Sequence, residues 1–352
     1  MSSEAVNNAA TTKSLGTRLR EEFSGIDIGR PTHFRNLSVF PLVRPMPIGE
    51  KPDYLLLEDA ISQGLGWVTE IHAGGSVPEL RFENSSELPV LLLDGEELIG
   101  AKQNRVLNLT ILAAPKTATV ILVSCVEAGR WSMSSFAFRS SDNVMYSRAR
   151  ARKVSDVTFA MRATQSRRSD QSAVWDEIAA KMDRMDAASS TCAMSAIYER
   201  QATSVEEYVR AFCSQQGQAG VAFAINGRVL GLDLFDNDHV FGRFFPKLLR
   251  SFAVDAIDAA FTSPEKANSL LASDPAKREA VIDFLAEAAS SPSSAHPAIG
   301  LGKDVRFGTS TVAGAALWAQ ERYIHICAFS QSGNHSGKSQ TRISRPAHGR
   351  IS

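Results

Sequence analysis

Long apolar runs are missing from this 352-residue chain, and nothing approaches the roughly 20 consecutive apolar residues that a membrane-spanning helix needs. Residues 1–25 lack the apolar core of a signal peptide and carry both charge signs, so a soluble, cytoplasmic protein is expected. Net charge is missing too. Lys+Arg and Asp+Glu stand at 38 each, which leaves no global field to draw nucleic acid or acidic lipid. The four cysteines (Cys125, Cys192, Cys213, Cys327) lie far apart with no CxxC pair, so neither a zinc knuckle nor a disulfide framework is indicated. The seven histidines (His33, His72, His239, His296, His325, His335, His348) are scattered, with no pair at helical or strand spacing that would nominate a metal site. There is no glycine-rich strand-to-helix fingerprint to support a Rossmann fold, and no GxSxG elbow to nominate a catalytic serine.

What remains is ordinary folded-protein composition, 44% hydrophobic and 22% charged, at a length that suits one large domain or two of usual size. Residues 1–27, rich at first in Ser, Ala, Asn and Thr, read as a mobile arm. Strand-like runs follow at 38–44, 54–57, 67–72, 80–82, 89–93, 106–112 and 119–126. Turn groups such as Ala73-Gly74-Gly75, Asn84-Ser85-Ser86 and Ala114-Pro115-Lys116 separate them. Pro41 marks the first as an edge or irregular strand, and residues 58–63 give a helical turn or two stopped at Gly64. This pattern predicts a β-rich sandwich or barrel-like sheet over 28–138.

A mainly helical region is expected over 139–215. Residues 146–164 read as partly helical, and Val174, Ile178 and Met182 recur at every fourth position. Ser204 with Glu207 has the form of a capping box. An α/β region over 216–330 opens with a buried-type strand at 221–224, the hairpin signal Asn226-Gly227 and a returning strand at 228–234. A long helix follows, carrying Phe241, Phe244, Phe245, Leu248, Leu249, Phe252, Ile257 and Phe261 around much of its circumference, and belongs in the core. Ser263-Pro264 and Asp274-Pro275 announce two more helices, and strands near 304–307, 315–319 and 323–329 close the fold. Residues 331–352 hold Lys338, Arg342, Arg345 and Arg350 with no acids and little that is apolar, so a disordered basic tail is expected. The class is α+β: a β-rich, sandwich-like N-terminal half, a helical middle, and a smaller α/β C-terminal part packed on the first.

One stretch, 91–108, concentrates polar side chains between two strand-like runs: Asp94, Glu96, Glu97, Lys102, Gln103, Asn104, Arg105 and Asn108, with Gly95 and Gly100 as hinges. Ordinary connections use Ser, Asn, Gly and Pro instead. A functional reading gathers these side chains around one ligand. The bland alternative is a charged hairpin whose acids and bases pair with each other. Strand alternation would place Lys102 and Asn104 on one face and Gln103 and Arg105 on the other, so about half could line one pocket. A second segment, 124–131, adds Glu127, Arg130 and Trp131, where Arg130 could grip a carboxylate or phosphate and Trp131 offers a stacking face. Cys125 sits in a Val-rich strand without a neighbouring histidine and reads as a buried thiol. Asp94, Glu96 and Glu97 could take a hard cation such as Mg²⁺, which is a weak signal, and no cofactor is otherwise indicated.

Two further features read as structural. The basic residues of 139–170 (Arg139, Arg148, Arg150, Arg152, Lys153, Arg162, Arg167, Arg168) form a solvated helix face rather than a nucleic-acid surface. Asp233, Asp236 and Asp238 resemble half of a calcium loop but lack its glycine and terminal glutamate.

Three runs carry a family resemblance: Gly75-Ser76-Val77-Pro78-Glu79-Leu80; 91–108 with its Asp-Gly-Glu-Glu and Lys-Gln-Asn-Arg core; and Ser124-Cys125-Val126-Glu127-Ala128-Gly129-Arg130-Trp131. Over about 28–329 the chain resembles the ARG-and-rhodanese-phosphatase-associated protein (ARPP) family, named for gene neighbourhoods with ADP-ribosylglycohydrolases and rhodanese-like phosphatases. The basic C-terminal tail departs from that family's pattern. The resemblance brings no established reaction. It implies a cytoplasmic bacterial protein working on, or beside, ADP-ribose and NAD-derived groups. The expected function is therefore a ligand-binding or accessory protein whose 94–108 and 127–131 segments hold an anionic, ADP-ribose-like molecule. Two alternatives stand beside it: a hydrolase of an ADP-ribosyl or phosphate ester with Glu96 or Glu97 as base, and a scaffold for a partner protein.

Overall fold

A computed structural model of the chain describes residues 13–45, 51–72, 78–262 and 275–331. It begins with α1 (Leu15–Ser24), β1 (Asp27–Ile28), β2 (Thr32–Phe34), β3 (Leu37–Val43), β4 (Leu55–Leu56) and α2 (Leu57–Ser62). The run of strands is β5 (Gly66–Glu70), β6 (Glu79–Asn84), β7 (Val90–Leu92), β8 (Glu96–Gly100), β9 (Arg105–Leu107), β10 (Ile111–Ala113), β11 (Thr117–Cys125) and β12 (Phe138–Val144). Then come α3 (Ser147–Thr164), α4 (Gln171–Arg184), α5 (Ser195–Arg200), α6 (Ala202–Ala211), β13 (Gln218–Ile225), β14 (Arg228–Phe235) and α7 (Asp238–Phe261). The described chain closes with α8 (Arg278–Ser290), β15 (Ser293–Pro297), β16 (Lys303–Gly308), β17 (Val312–Ala319) and β18 (Arg322–Ser330).

The α+β class holds, with an architecture built on two main β bodies. A nine-stranded antiparallel sheet runs β1–β3–β13–β14–β18–β17–β16–β15, with β2 also paired to β3. It draws strands from both ends of the chain, so the C-terminal α/β part shares its sheet with the N-terminal strands. The other β body is a closed barrel, β11–β6–β5–β12–β8–β9, the second of the two forms, sandwich or barrel-like, that the strand pattern allows. Its sixth strand, β12, comes from what reads in sequence as the start of the helical region; the helices begin at Ser147. A small sheet, β10–β7–β4, joins the two bodies, and a bridge between Leu112 and Gly300 ties it to the large sheet.

The large sheet buries both faces. One packs on α1 and α8 through Leu19, Phe23, Val281, Phe284, Leu285 and Ala288. The other packs on the long α7, where Phe223 of β13 stacks on Phe252 at 4.0 Å. Residues 15–24, expected in a mobile arm, thus form a docked helix, with Ser14 accepting the Thr17 N–H as its cap. Pro41 lies in a strand paired on both sides. Its carbonyl accepts from the Gly29 N–H where β1 gives way to β2, so the missing proline N–H falls in that break. Asn226 and Gly227 both take positive φ (50° and 77°), the backbone that a two-residue hairpin turn demands. Ser204 is not a cap: α6 starts at Ala202, running on directly from α5, so Ser204 sits inside the first turn. The last helix starts at Arg278 after Lys277 rather than at Pro275. Ser263-Pro264, Asp274, most of the expected N-terminal arm (residues 1–12) and residues 332–352 of the expected tail lie outside the described residues.

Barrel, sheet and helical middle meet on one charged cluster. Arg150 of α3, read as part of a solvated face, is wholly buried and grips Asp233 of β14 with two nitrogens at 3.0 and 2.7 Å. Its Nε reaches Asp94, on the turn between β7 and β8, at 3.4 Å. Lys153, one turn on and equally buried, donates to Asp94 and to the Leu107 carbonyl, both at 2.5 Å. His325 of β18 bridges Asp233 (3.1 Å) and Thr110 (2.9 Å). Burial opposes the charge on Asp233, but Arg150 and His325 outweigh it and hold this carboxyl below its usual range. For Lys153 burial outweighs Asp94 and the pKa falls. Arg148, Arg152 and Arg162 of α3 are exposed and do form the solvated helix face expected, whereas the exposed Arg139 lies in β12, the exposed Arg168 follows α3, and Arg167 is part-buried.

Removing one partner of a buried pair strands the other charge, which typically costs about 3–5 kcal/mol. Arg150→Met is therefore expected to lose about that much in urea unfolding, and Arg150→Met combined with Asp233→Asn to regain part of it. A loss under about 1 kcal/mol for the single variant would refute the linking role of Arg150.

Candidate ligand site at the barrel mouth

The ends of β5, β8 and β11 and the starts of β6, β9 and β12 lie together at one rim of the barrel, as their registers require: Glu70 is opposite Leu80, Leu98 opposite Arg105, and Arg105 opposite Cys125. Inward-facing positions fill the barrel with Val68, Leu80, Phe82, Leu98, Leu107, Ile121, Val123 and Phe138. By alternation Glu70 follows Val68, Arg105 precedes Leu107 and Cys125 follows Val123 on that same inward face. The mouth therefore carries a carboxylate, a guanidinium and a thiol above an apolar barrel interior.

Arg105 has no solvent exposure, and burial pulls its pKa down from the ordinary arginine range. Its Nη1 donates to Gln103 Oε1 at 2.8 Å, whereas Nε and Nη2 have no hydrogen-bond partner. The indole of Trp131, about half exposed, lies 5.8 Å from the guanidinium, and Lys102 Nζ stands 5.3 Å from the same ring. Cys125 donates to Gln103 at 3.1 Å, and burial pushes its thiol pKa up, which argues against a reactive thiolate.

Residues 101–104 form a turn, not a strand, so the expected split between faces does not arise there. Gly100 enters this turn at φ 135°, and a Cβ on it would meet the Ala137 carbonyl at 2.8 Å. Glu127 and Arg130 hold the turn from the other side. Glu127 accepts from Asn104 N–H (3.0 Å), Thr191 (2.9 Å) and Arg130 (2.9 Å), and these bonds overcome burial to keep its pKa low. Arg130 also donates to the Ala101 carbonyl at 2.8 Å and to Asn104 Oδ1 at 3.1 Å. Read in sequence as a ligand grip, Arg130 is instead fully engaged with the protein and positions the loop that bears Trp131.

The remaining signature residues lie elsewhere. Asp94 belongs to the Arg150 cluster, and Asn108 accepts from Ser124 at 2.6 Å on the way to it. Glu96 sits at the end of β8 away from the mouth, bonded to Ser140 (2.7 Å) and Lys247 (3.2 Å). Glu97, opposite Val106, faces away from Arg105 and accepts from Ser141 (2.9 Å) and Asn143 (3.1 Å). The three acids nominated for Mg²⁺ thus point to three places, and no group of three metal-ligating side chains gathers among the described residues. Sequence reasoning missed Glu70, Trp175 and His325: Glu70 and His325 are lone ionisable residues in their strands and Trp175 an ordinary aromatic of an amphipathic helix, with no local pattern to flag them. A cavity of about 480 Å³ lies between α3, α7 and the β13–β14 turn, lined by none of the signature residues. Its acids, Asp255 and Asp258, are matched by Lys181 and Arg184.

This polar-mouthed barrel and the antiparallel sheet it docks on lie within the part of the chain that one family model covers. The family model of the ARG and Rhodanese-Phosphatase-superfamily-associated Protein domain, ARPP-1, matches residues 25–329, and the chain belongs to that family. No curated protein and no solved structure matches it. Among the described residues no helix is long and apolar enough to cross a membrane.

Glu97 provides a test of the electrostatics. Burial is the main reason its pKa rises from 4.5 to about 7; Asn143 and Ser141 oppose this, and the charge on Glu127 adds to it. A folded-state pKa above the unfolded one means the folded protein holds the proton more tightly. The resulting stabilisation is full below about pH 4.5 and is lost as pH rises through about 7. Relative to wild type, Glu97→Gln should gain up to about 3 kcal/mol in urea unfolding between pH 5 and pH 8. A difference that does not vary with pH would remove Glu97 as its origin.

Proposed function

We propose that this protein is a ligand-binding accessory protein and that its ligand is an anion of the ADP-ribose kind, held at the barrel mouth. The observation that carries the reading is Arg105, a wholly buried guanidinium whose Nε and Nη2 meet no oxygen acceptor, with the weakly accepting Cys125 sulfur beside it. Leaving a buried donor unmatched costs about 1–3 kcal/mol, more when the group is charged, so such a group is retained where something other than folding uses it. In this reading a phosphate oxygen accepts from Arg105, Lys102 adds positive charge beside it, Gln103 holds the guanidinium plane, and the exposed Trp131 ring stacks on the adenine. The family's name, with its association to other proteins, fits an accessory role, and the proposal includes a bacterial cytoplasmic setting.

Hydrolysis is less well supported. A general base must stand within reach of the reacting water, and Glu97 faces away from Arg105 while Glu96 sits at the other end of its strand. The proposal includes no metal.

Calorimetry with ADP-ribose tests the reading. Wild type should release heat, Arg105→Ala should bind roughly 10- to 100-fold more weakly through the loss of charge-assisted bonds, and Trp131→Ala about 5-fold more weakly through the loss of stacking. Silence from wild type, or equal affinity in the two variants and wild type, would sink it.

A further inference from the structure

We infer that the ligand of the barrel mouth carries a vicinal diol as well as an anion, and that Glu70 selects it. This rests on reading the mouth as a ligand site. Glu70 ends β5 on the inward face, and both its carboxylate oxygens are buried without a hydrogen-bond partner. Its charge reaches Arg105, yet the two make no ion pair. A carboxylate and a guanidinium at one barrel rim would ordinarily close on each other in a two-pronged pair. Here both keep bonding atoms that no protein nitrogen or oxygen matches. Beside them the indole nitrogen of Trp175 is buried too, turned to the Cys125 thiol. Of thirteen buried side-chain atoms without a hydrogen-bond partner among the described residues, four belong to Glu70 and Arg105, and buried polar groups left unmatched in this way call for an explanation.

The chemistry of the partner follows from the atoms. A carboxylate only accepts, and two unbonded oxygens match two adjacent donors. Adjacent hydroxyls on a sugar offer that pair, as when an acidic residue holds a ribose. An ammonium would also donate, but the charges of Arg105 and Lys102 at the mouth disfavour a further cation and favour neutral donors. An anion on Arg105 and a diol on Glu70 describe a sugar phosphate with free adjacent hydroxyls.

Three probes separate the outcomes in calorimetry: ribose 5-phosphate, 2-deoxyribose 5-phosphate and inorganic phosphate. Wild type should prefer ribose 5-phosphate over its deoxy analogue by at least about tenfold, since a site built to bond a hydroxyl rejects a ligand lacking it. Glu70→Gln should abolish that preference while phosphate binds as well as before or better. Glu70→Asp, which keeps the charge and shortens the reach, should reduce the preference, and serves alone if the Gln variant does not fold. If phosphate binds but wild type shows no preference, or the preference survives in Glu70→Gln, the assignment of Glu70 is overturned and the anion site stands. If wild type binds none of the three, both are overturned.

Discussion

The two-pronged bond between Arg150 and Asp233 is the constraint on which the rest of the arrangement depends. One guanidinium, carried by α3, touches the large sheet through Asp233 and the barrel through Asp94, so three bodies share a single planar group. The wider cluster is balanced: Asp94, Asp233 and Asp304 stand against Arg150, Lys153 and Arg306. Such a cluster adds little net stability, because desolvating the charges offsets most of their attraction, and apolar groups of the same shape could do as well. Its physical effect is registry. Arg150 packs on Gly95, which takes φ +80° and where a Cβ would stand only 3.0 Å from Arg150 Cδ, so α3 has one seat on the barrel.

That seat reaches the candidate site through the next helix. With α3 fixed, α4 lies along β11, and Gln171 brackets Cys125 by accepting from its N–H and donating to its carbonyl, both at 2.8 Å. Trp175, one turn further along α4, comes beside the Cys125 thiol by the same placement. The barrel mouth is thus shaped by a helix whose position is set by charges on the far side of the barrel wall. Glu127 and Arg130 do the equivalent for the turn at 101–104 and the loop bearing Trp131.

Much of the fold was legible because its signals are local. Asn226-Gly227, the fourfold recurrence of Val174, Ile178 and Met182, and the phenylalanines of α7 each announce an element through residues that lie in it. The 91–108 stretch was also legible as unusual. Its division was not, because whether Asp94 and Arg105 share a site depends on partners from residues 56 and 20 positions away: Asp94 goes to Arg150, and Cys125 lies opposite Arg105. Arg150 and Lys153 show the same limit. Among eight basic residues in one region, nothing in their neighbours distinguishes the two that are buried from the five that are exposed; burial is decided by Asp94 and Asp233, which are distant in sequence. Docking of α1 likewise depends on α8, at the other end of the chain.

The two polar clusters share a chain segment and differ in one respect that bears on function. At the Arg150 cluster nearly every donor meets an acceptor; the adjoining cavity is about 10 Å³, room for a single water, and the unmatched nitrogens there are Arg306 Nη1 and the Nε of Arg167, which stands 3.9 Å from Asp304. Structure explains those residues completely, so their charges carry no implication of a ligand. At the mouth the opposite holds: the buried Arg105 and the part-buried Glu70 keep buried bonding atoms that no nitrogen or oxygen of the fold matches. At about 1–3 kcal/mol for each unmatched group, the penalty is a large part of the net stability of a typical protein. Replacing Glu70 and Arg105 with apolar residues would make a better-satisfied barrel, and the chain does not do so. That unrelieved cost, more than the density of charge in the sequence, is what separates the recognition end of the 91–108 stretch from its structural end.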